Sequence, residues 1–337
     1  IEVPIIHTLA ATLTALEKRQ VDMVPLSLPQ SDVIQVEDFA TRVATGPSYL
    51  GTALVFNLRK APFNQVKVRQ AVAQAINLDL MVSAVGDATG AGGGFTHPSS
   101  DWASGQGLHS YDPGAARTAL APLHLTGLTV LAPNNDPVQM QAAAQVALAL
   151  RRVGVAASVR YLSVGQLDAA MGAGGTTPSR SAPSFLMAIG AIDPGVSYDP
   201  DALPADLAAS GYGSSAFDAL AARVSTTADP VARKAAVRAE LDLLATEVPE
   251  VPLFFATGQY AYHPGVYNGW VYVKGGGILD KLSFLASRAP TRAPSAAAPA
   301  ARTSSGFDFG IVAWALVGVA AALVALLAAG LALGRRR

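Results

Sequence analysis

The chain has 337 residues, 51% of them hydrophobic and 14% charged, and its 24 basic and 24 acidic residues balance to a formal net charge of zero. That length exceeds one ordinary domain and can bury a sizeable core, so more than one lobe is expected. The basic residues are scattered, which leaves no electrostatic footprint for nucleic acid, and the lack of cysteine removes disulfides, zinc–thiolate sites and thiol catalysis.

The chain opens at Ile1 with no initiator Met and no basic-then-apolar leader, so an upstream segment is expected to be missing from it. Residues 1–55 read as strand, helix and strand, with Val3, Ile5, Ile6 and Val21, Met23, Val24 as buried runs. Leu54 and Phe56 then alternate with Val55 and Asn57 in a short extended run that Pro62 stops. Val68, Ala71, Val72, Ala75 and Ile76 follow at helical spacing, which predicts a buried strand feeding an amphipathic helix. Glycine-rich breaks fall at 90–94 and 172–175 and read as flexible loops.

Tyr111-Asp112-Pro113 opens a further helix, with Asp112 suited to the N-cap and Pro113 to the first helical position. A strand at 128–131, a helix at about 138–153 and a strand at 156–161 come next. Phe217-Asp218-Ala219-Leu220 starts another helix, and 248–255 is a Pro-bounded strand. Alternation of this kind over 56–265 argues for an α/β lobe.

From residue 286 to 306 the composition turns to Ala, Pro, Ser, Thr and Arg, which cannot bury enough apolar surface to offset ordering and reads as a tether. The run 311–333 holds no charged residue, and at ~1.5 Å per residue it is about long enough to cross a ~30 Å hydrocarbon layer. Trp314 suits the outer interfacial belt. The basic tail 334–337, with Arg335, Arg336 and Arg337, favours the cytoplasmic side, so the folded part is expected outside, held to the lipid bilayer by its last helix.

Reactive chemistry is not signalled. His7, His97, His109, His124 and His263 are far apart and read as surface or loop residues; no metal set, nucleophile elbow or phosphate loop occurs, so neither a catalytic residue nor a cofactor is predicted. Arg69 reads as a structural pairing residue and Asn57 as a side chain that satisfies backbone groups at a strand end.

The succession Phe56-Asn57, Pro62-Phe63 and Val68-Arg69-Gln70-Ala71 resembles the signature of extracellular solute-binding proteins, family 5, the peptide and nickel type receptors of ABC importers. Leu13 to Met23, Tyr111-Asp112-Pro113 and Phe217-Asp218 fit the same order, and the resemblance runs over about residues 1–285. It implies a type II periplasmic-binding-protein-like bilobal clamshell with one lobe incomplete. Residues 1–55 would be part of the first lobe, 56–265 the second lobe, and 266–285 a return to the first. The implied function is capture of an oligopeptide or similar small solute between the lobes for delivery to an ABC permease. A membrane-anchored sensor of the same fold, without transport, is the alternative.

The family carries Gly-Trp, Asp-Tyr and Asp-Pro near its cleft in the segment that resembles 185–201. Here the tryptophan is absent and Asp-Pro occurs twice, as Asp193-Pro194 and Asp199-Pro200. Asp193, then Asp199, is the implied anchor for a peptide amino terminus; both also suit ordinary turns. Tyr212 matches a cleft-lining aromatic and equally a packing residue beside Phe217. Ser48 and Tyr49 are assigned to the hinge side, and Trp102 to the pocket wall.

Overall fold

Arg42–Phe56 forms β1, a strand far longer than the run around Leu54 and Phe56 that marks it in the sequence. Its antiparallel partner is β6, Glu250–Tyr262. The computed structural model describes residues 2–6, 8–25, 27–36, 39–91, 94–103, 110–125, 127–171, 185–191 and 210–285. Within them lie four further strands, β2 (Ala88–Gly90), β3 (Leu128–Pro133), β4 (Ala157–Leu162) and β5 (Phe185–Ala191). The mixed sheet has the order β2-β6-β1-β5-β3-β4, antiparallel from β2 to β5 and parallel among β5, β3 and β4.

The second half of β1 is buried on both faces, which explains its unbroken apolar sequence. Leu54 and Phe56, with Val130 and Ala132 of β3, face the largest core; Val55 and Leu131 point the other way, toward Leu167. That core is covered by α3 (Val66–Ala75), α4 (Leu78–Val85), α5 (Pro113–Leu120) and α6 (Pro137–Arg152). In α6 the buried residues Gln139, Ala142, Ala143, Val146, Ala147 and Leu150 keep the 3.6-residue period, and the alanines let the helix lie close on the sheet. Asp112 and Asp136 cap α5 and α6 through Ala115 N–H (2.8 Å) and Gln139 N–H (3.0 Å), each with proline just inside the helix. Leu167 lies on α7 (Val164–Met171).

Two smaller cores flank the sheet. One gathers Leu13 and Leu16 of α1 (Leu9–Glu17), Val33 and Val36 of α2 (Gln30–Val36), Val24, and Ala261 near the far end of β6. The other packs α8 (Ser215–Thr226) and α9 (Pro230–Glu247) around Phe95, Phe217, Val237 and Leu244. The described residues pack as one compact unit.

Several expectations need correction. Val3 and Ile5 are 74% and 84% exposed, because no described strand stands beside residues 2–6 to cover them. The strand expected at 21–24 reduces to a single Met23–Tyr262 bridge, although Val24 is buried and its N–H donates to Ala261 O (2.9 Å). Gly90 belongs to β2 rather than to a loop. Residues 286–337, which include the tether and the apolar run 311–333, lie outside the described residues. Among those that are described, no helix is long and apolar enough to cross a membrane.

Arg69 shows why an apolar helix face tolerates a cation. It is 4% exposed, and its guanidinium donates to Phe63 O (2.8 Å), to Val248 O (2.7 Å) and twice to Glu247 O. Those carbonyls lie in the turn after Pro62 and at the C-terminus of α9, where Val248 turns left-handed at φ 47°. Burial lowers the guanidinium pKa and Glu247 opposes that shift, yet an arginine stays cationic under any condition the fold survives. Charge-assisted bonds contribute roughly 1.5–3 kcal/mol each, and their loss would leave buried carbonyls unpaired. R69M is therefore expected to lower the unfolding free energy by about 3 kcal/mol, read from the urea midpoint, with R69K restoring only part.

Candidate ligand-binding site

The register of β1 against β6 breaks at Ser48 and Tyr49. Pro47 pairs with Thr257 and Gly51 with Phe255, so Ser48, Tyr49 and Leu50 stand opposite Ala256 alone. A second shift separates Thr52–Phe254 from Ala53–Pro252; proline, lacking a ladder donor, is tolerated in this central strand at such an irregularity. The bulge turns Ser48 and Tyr49 away from the ladder, and the chain near Gly275 completes their bonding: Tyr49 N–H donates to Gly275 O (3.3 Å), and Ser48 bridges Gly275. Gly275 has φ 85°, and a Cβ there would lie 2.2 Å from the Tyr49 ring, so no side chain fits.

Both Ser48 and Tyr49 are 5% exposed. The Tyr49 ring lies 5.2 Å from His97, tilted by 33°, and His97 meets Phe255 edge-on at 5.2 Å. His97 lies in a loop, one of the two expected settings, but is buried there: its Nδ1 accepts from Ser99 N–H (3.0 Å) while its ring is walled by two aromatics. His263, in the loop after β6, is likewise buried: it is 2% exposed, and its Nε2 donates to Leu16 O at 2.8 Å. Beside His97, Thr96 is fully buried and its hydroxyl finds no partner among the described residues.

The turn continues from His97 to Trp102. Ser100 N–H donates to His97 O (2.8 Å), and Trp102 N–H donates to Ser100 Oγ (3.2 Å). Trp102 is half-buried and packs on the α8–α9 core. Asp101 makes an exposed ion pair with Lys274 (3.7 Å), which joins this turn to the segment that crosses the bulge and contributes little energy by itself. Three residues singled out from sequence, Ser48, Tyr49 and Trp102, thus border one region where β1, the 95–102 turn and the 272–277 segment meet.

Tyr212 sits elsewhere. Its ring is edge-on to Phe217 at 5.6 Å and its hydroxyl donates to Glu247, the residue whose backbone carbonyl holds Arg69. Asp193 and Asp199 lie outside the described residues. His97, Phe255 and Gly275 were missed in sequence. The run Gly275-Gly276-Gly277 carried the one usable signal, as a place where backbone must approach something closely.

A mixed sheet with helical layers, whose two longest strands run through a bulge from one helical cluster to another, is the fold of type II periplasmic binding proteins. The chain belongs to the bacterial extracellular solute-binding proteins, family 5: the model "Bacterial extracellular solute-binding proteins, family 5 Middle" matches residues 1–215. Among solved structures it is similar to the periplasmic binding protein DppA from Helicobacter pylori in complex with peptide STSA, at 19% identity and TM-score 0.66, over 83% of this chain and 55% of that one. It is also similar to the substrate-binding protein CtaP from Listeria monocytogenes, at 19% identity and TM-score 0.69, over 83% and 58%. NikZ from Campylobacter jejuni in complex with Ni(L-His) gives 19% and 0.61, over 77% and 55%. This chain therefore spans little more than half the length of these structures, and at such identities the likeness shows the fold alone. No curated protein matches the sequence.

Burial and the bond to Glu247 push the Tyr212 hydroxyl well above the ordinary tyrosine range, and burial raises Tyr260 and Tyr272 as well. A raised folded pKa favours the protonated form, so the stabilisation is complete below the unfolded value of about 10 and is lost as pH climbs from there through the folded value. Denaturant midpoints measured from pH 9 to 11.5 are expected to fall, and Y212F is expected to flatten that slope.

Proposed function

We propose that this chain is the solute-binding component of an ABC importer, which captures a peptide or a similar small solute and hands it to a membrane permease. The observation that carries the reading is the bulged β1–β6 crossing with Ser48, Tyr49, His97 and Trp102 gathered beside it, in a chain of this family. Tyr49 and Trp102 offer flat apolar walls, and Ser48 a hydroxyl, which together suit a ligand with both apolar side chains and a polar backbone. Among the similar structures DppA holds a peptide and NikZ a nickel–histidine complex, which supports these two solute classes as the first to test.

In this reading Asp193 supplies the carboxylate that holds a cationic amino terminus, with Asp199 as its alternate. Tyr212 would act from behind, through Phe217, rather than by touching the solute. Residues 1–55 and 266–285 form one lobe and 56–265 the other, and closure of the two around the solute replaces bond chemistry as the mechanism. The apolar run 311–333 keeps the receptor at the cell membrane with its folded part outside.

Thermal unfolding of the full chain with the tetrapeptide Ser-Thr-Ser-Ala, and separately with Ni(II)–histidine, tests this. A ligand present at 100 times its Kd stabilises the folded state by about 2.7 kcal/mol, a readily measured rise in Tm. Y49A and W102A are expected to weaken the effective ligand about tenfold each, which corresponds to about 1.4 kcal/mol. Absence of any shift across these probes and a broad peptide mixture would overturn the reading.

A further inference from the structure

Gly46 of β1 and Gly258 of β6 are paired directly across the ladder, just before the bulge. Neither position is open space. A Cβ on Gly46 would come 2.5 Å from Tyr272 Cε1, and one on Gly258 would come 2.3 Å from the Tyr272 hydroxyl oxygen. Two facing glycines thus leave a slot one ring wide, and Tyr272 lies across both strands within it. The ring also contacts Tyr260 of β6 at 5.9 Å.

The far end of that ring is fixed as well. Tyr272 Oη donates to Pro47 O (3.1 Å), and Gly275 N–H donates to the same carbonyl (3.0 Å). Pro47 is the last residue before the register breaks, so both bonds act on the residue from which Ser48 and Tyr49 emerge. The segment is closed on itself by reciprocal bonds between Val273 and Gly277 (2.7 and 3.1 Å), which makes Tyr272 the end of a tight loop rather than of a free strand. All of these contacts fall on the Arg42–Pro47 half of the pairing, so loss of the ring loosens Pro47, the residue at which the register breaks.

We propose that Tyr272 is a positioning residue, a wedge in the Gly46–Gly258 slot that fixes Pro47 at the register break of the β1–β6 crossing and with it the presentation of Ser48 and Tyr49 to a solute. This rests on the solute-binding reading, but the wedge itself is measurable without any ligand. The chain has no cysteine, so spin labels placed through K18C and A119C, on exposed positions in the two helical clusters, report the separation across the crossing.

In the full chain Y272F, which keeps the ring, should retain a narrow label-to-label distance distribution. Y272A should broaden it, and G258A, which fills the slot, should shift it. G258A combined with Y272A should look like Y272A alone, because both act through one slot. Should Y272A fail to fold, Y272L supplies the same comparison.

A role in stability alone would lower Tm and leave the distances of the folded protein unchanged; distances in Y272A or Y272L that superimpose on the parent overturn the proposal. Affinity for Ser-Thr-Ser-Ala and Ni(II)–histidine is measured in parallel, and a drop of at least tenfold in Y272A with near-parent binding in Y272F is expected for the probe that binds. Altered distances with neither probe bound by the parent chain would uphold the wedge and count against the solute-binding reading. Unchanged affinity in Y272A despite parent binding would overturn the link between wedge and site.

Discussion

The antiparallel pairing of β1 with β6 is the constraint on which the rest of this structure depends. Both strands are long enough to serve two environments: Arg42 to Pro47 and Thr257 to Tyr262 lie beside α1, α2 and the 22–28 segment, while Gly51 to Val55 and Glu250 to Phe255 lie inside the main sheet. Between them the ladder is interrupted by a bulge that leaves backbone groups of Ser48 and Tyr49 to be completed from outside. The 272–277 segment provides that completion. A polar, aromatic-lined corner therefore arises where the sheet is least regular, and regular pairing on either side keeps it in place.

A second constraint works at the edge of the main core. α9 ends on a left-handed valine, a conformation that costs a β-branched residue on the order of 1–2 kcal/mol, and its last carbonyls lack helical partners. Arg69 donates to those carbonyls from α3, and Tyr212 holds the Glu247 side chain from the opposite direction. One buried cation thus satisfies a nearby turn and a helix terminus 178 residues away from it in sequence at the same time. The energetic reason is the asymmetry of hydrogen bonding in a dry interior, where leaving a carbonyl bare costs more than forming the bond gains.

The main α/β region was legible in the sequence because local signals there agree with tertiary packing. Asp112 with Pro113, the 3.6-residue alanine stripe of α6 and the nearly continuous apolar run of β3 each specify one structure at short range. The early part of β1 was not legible, since Arg42 to Gly51 includes two glycines, a proline and the exposed polar residues Arg42 and Thr45, and acquires its strand geometry from pairing with β6. The buried histidines were missed for a related reason: what buries His97 is Tyr49 and Phe255, one 48 residues before it and the other 158 after, and neither forms a local pattern with it. Ser48 and Tyr49 were singled out from their place just before the 54–57 run and Trp102 as an aromatic wall, whereas the packing of Gly46 and Gly258 depends on a ring that no periodicity connects to them.

That β1 and β6 are common to both helical clusters has a consequence for how such a protein can change over time. Neither cluster owns a complete set of strands, so neither can be exchanged for a foreign module, duplicated on its own or lost without stripping the other of ladder partners. The two clusters are joined through strands that neither can give up.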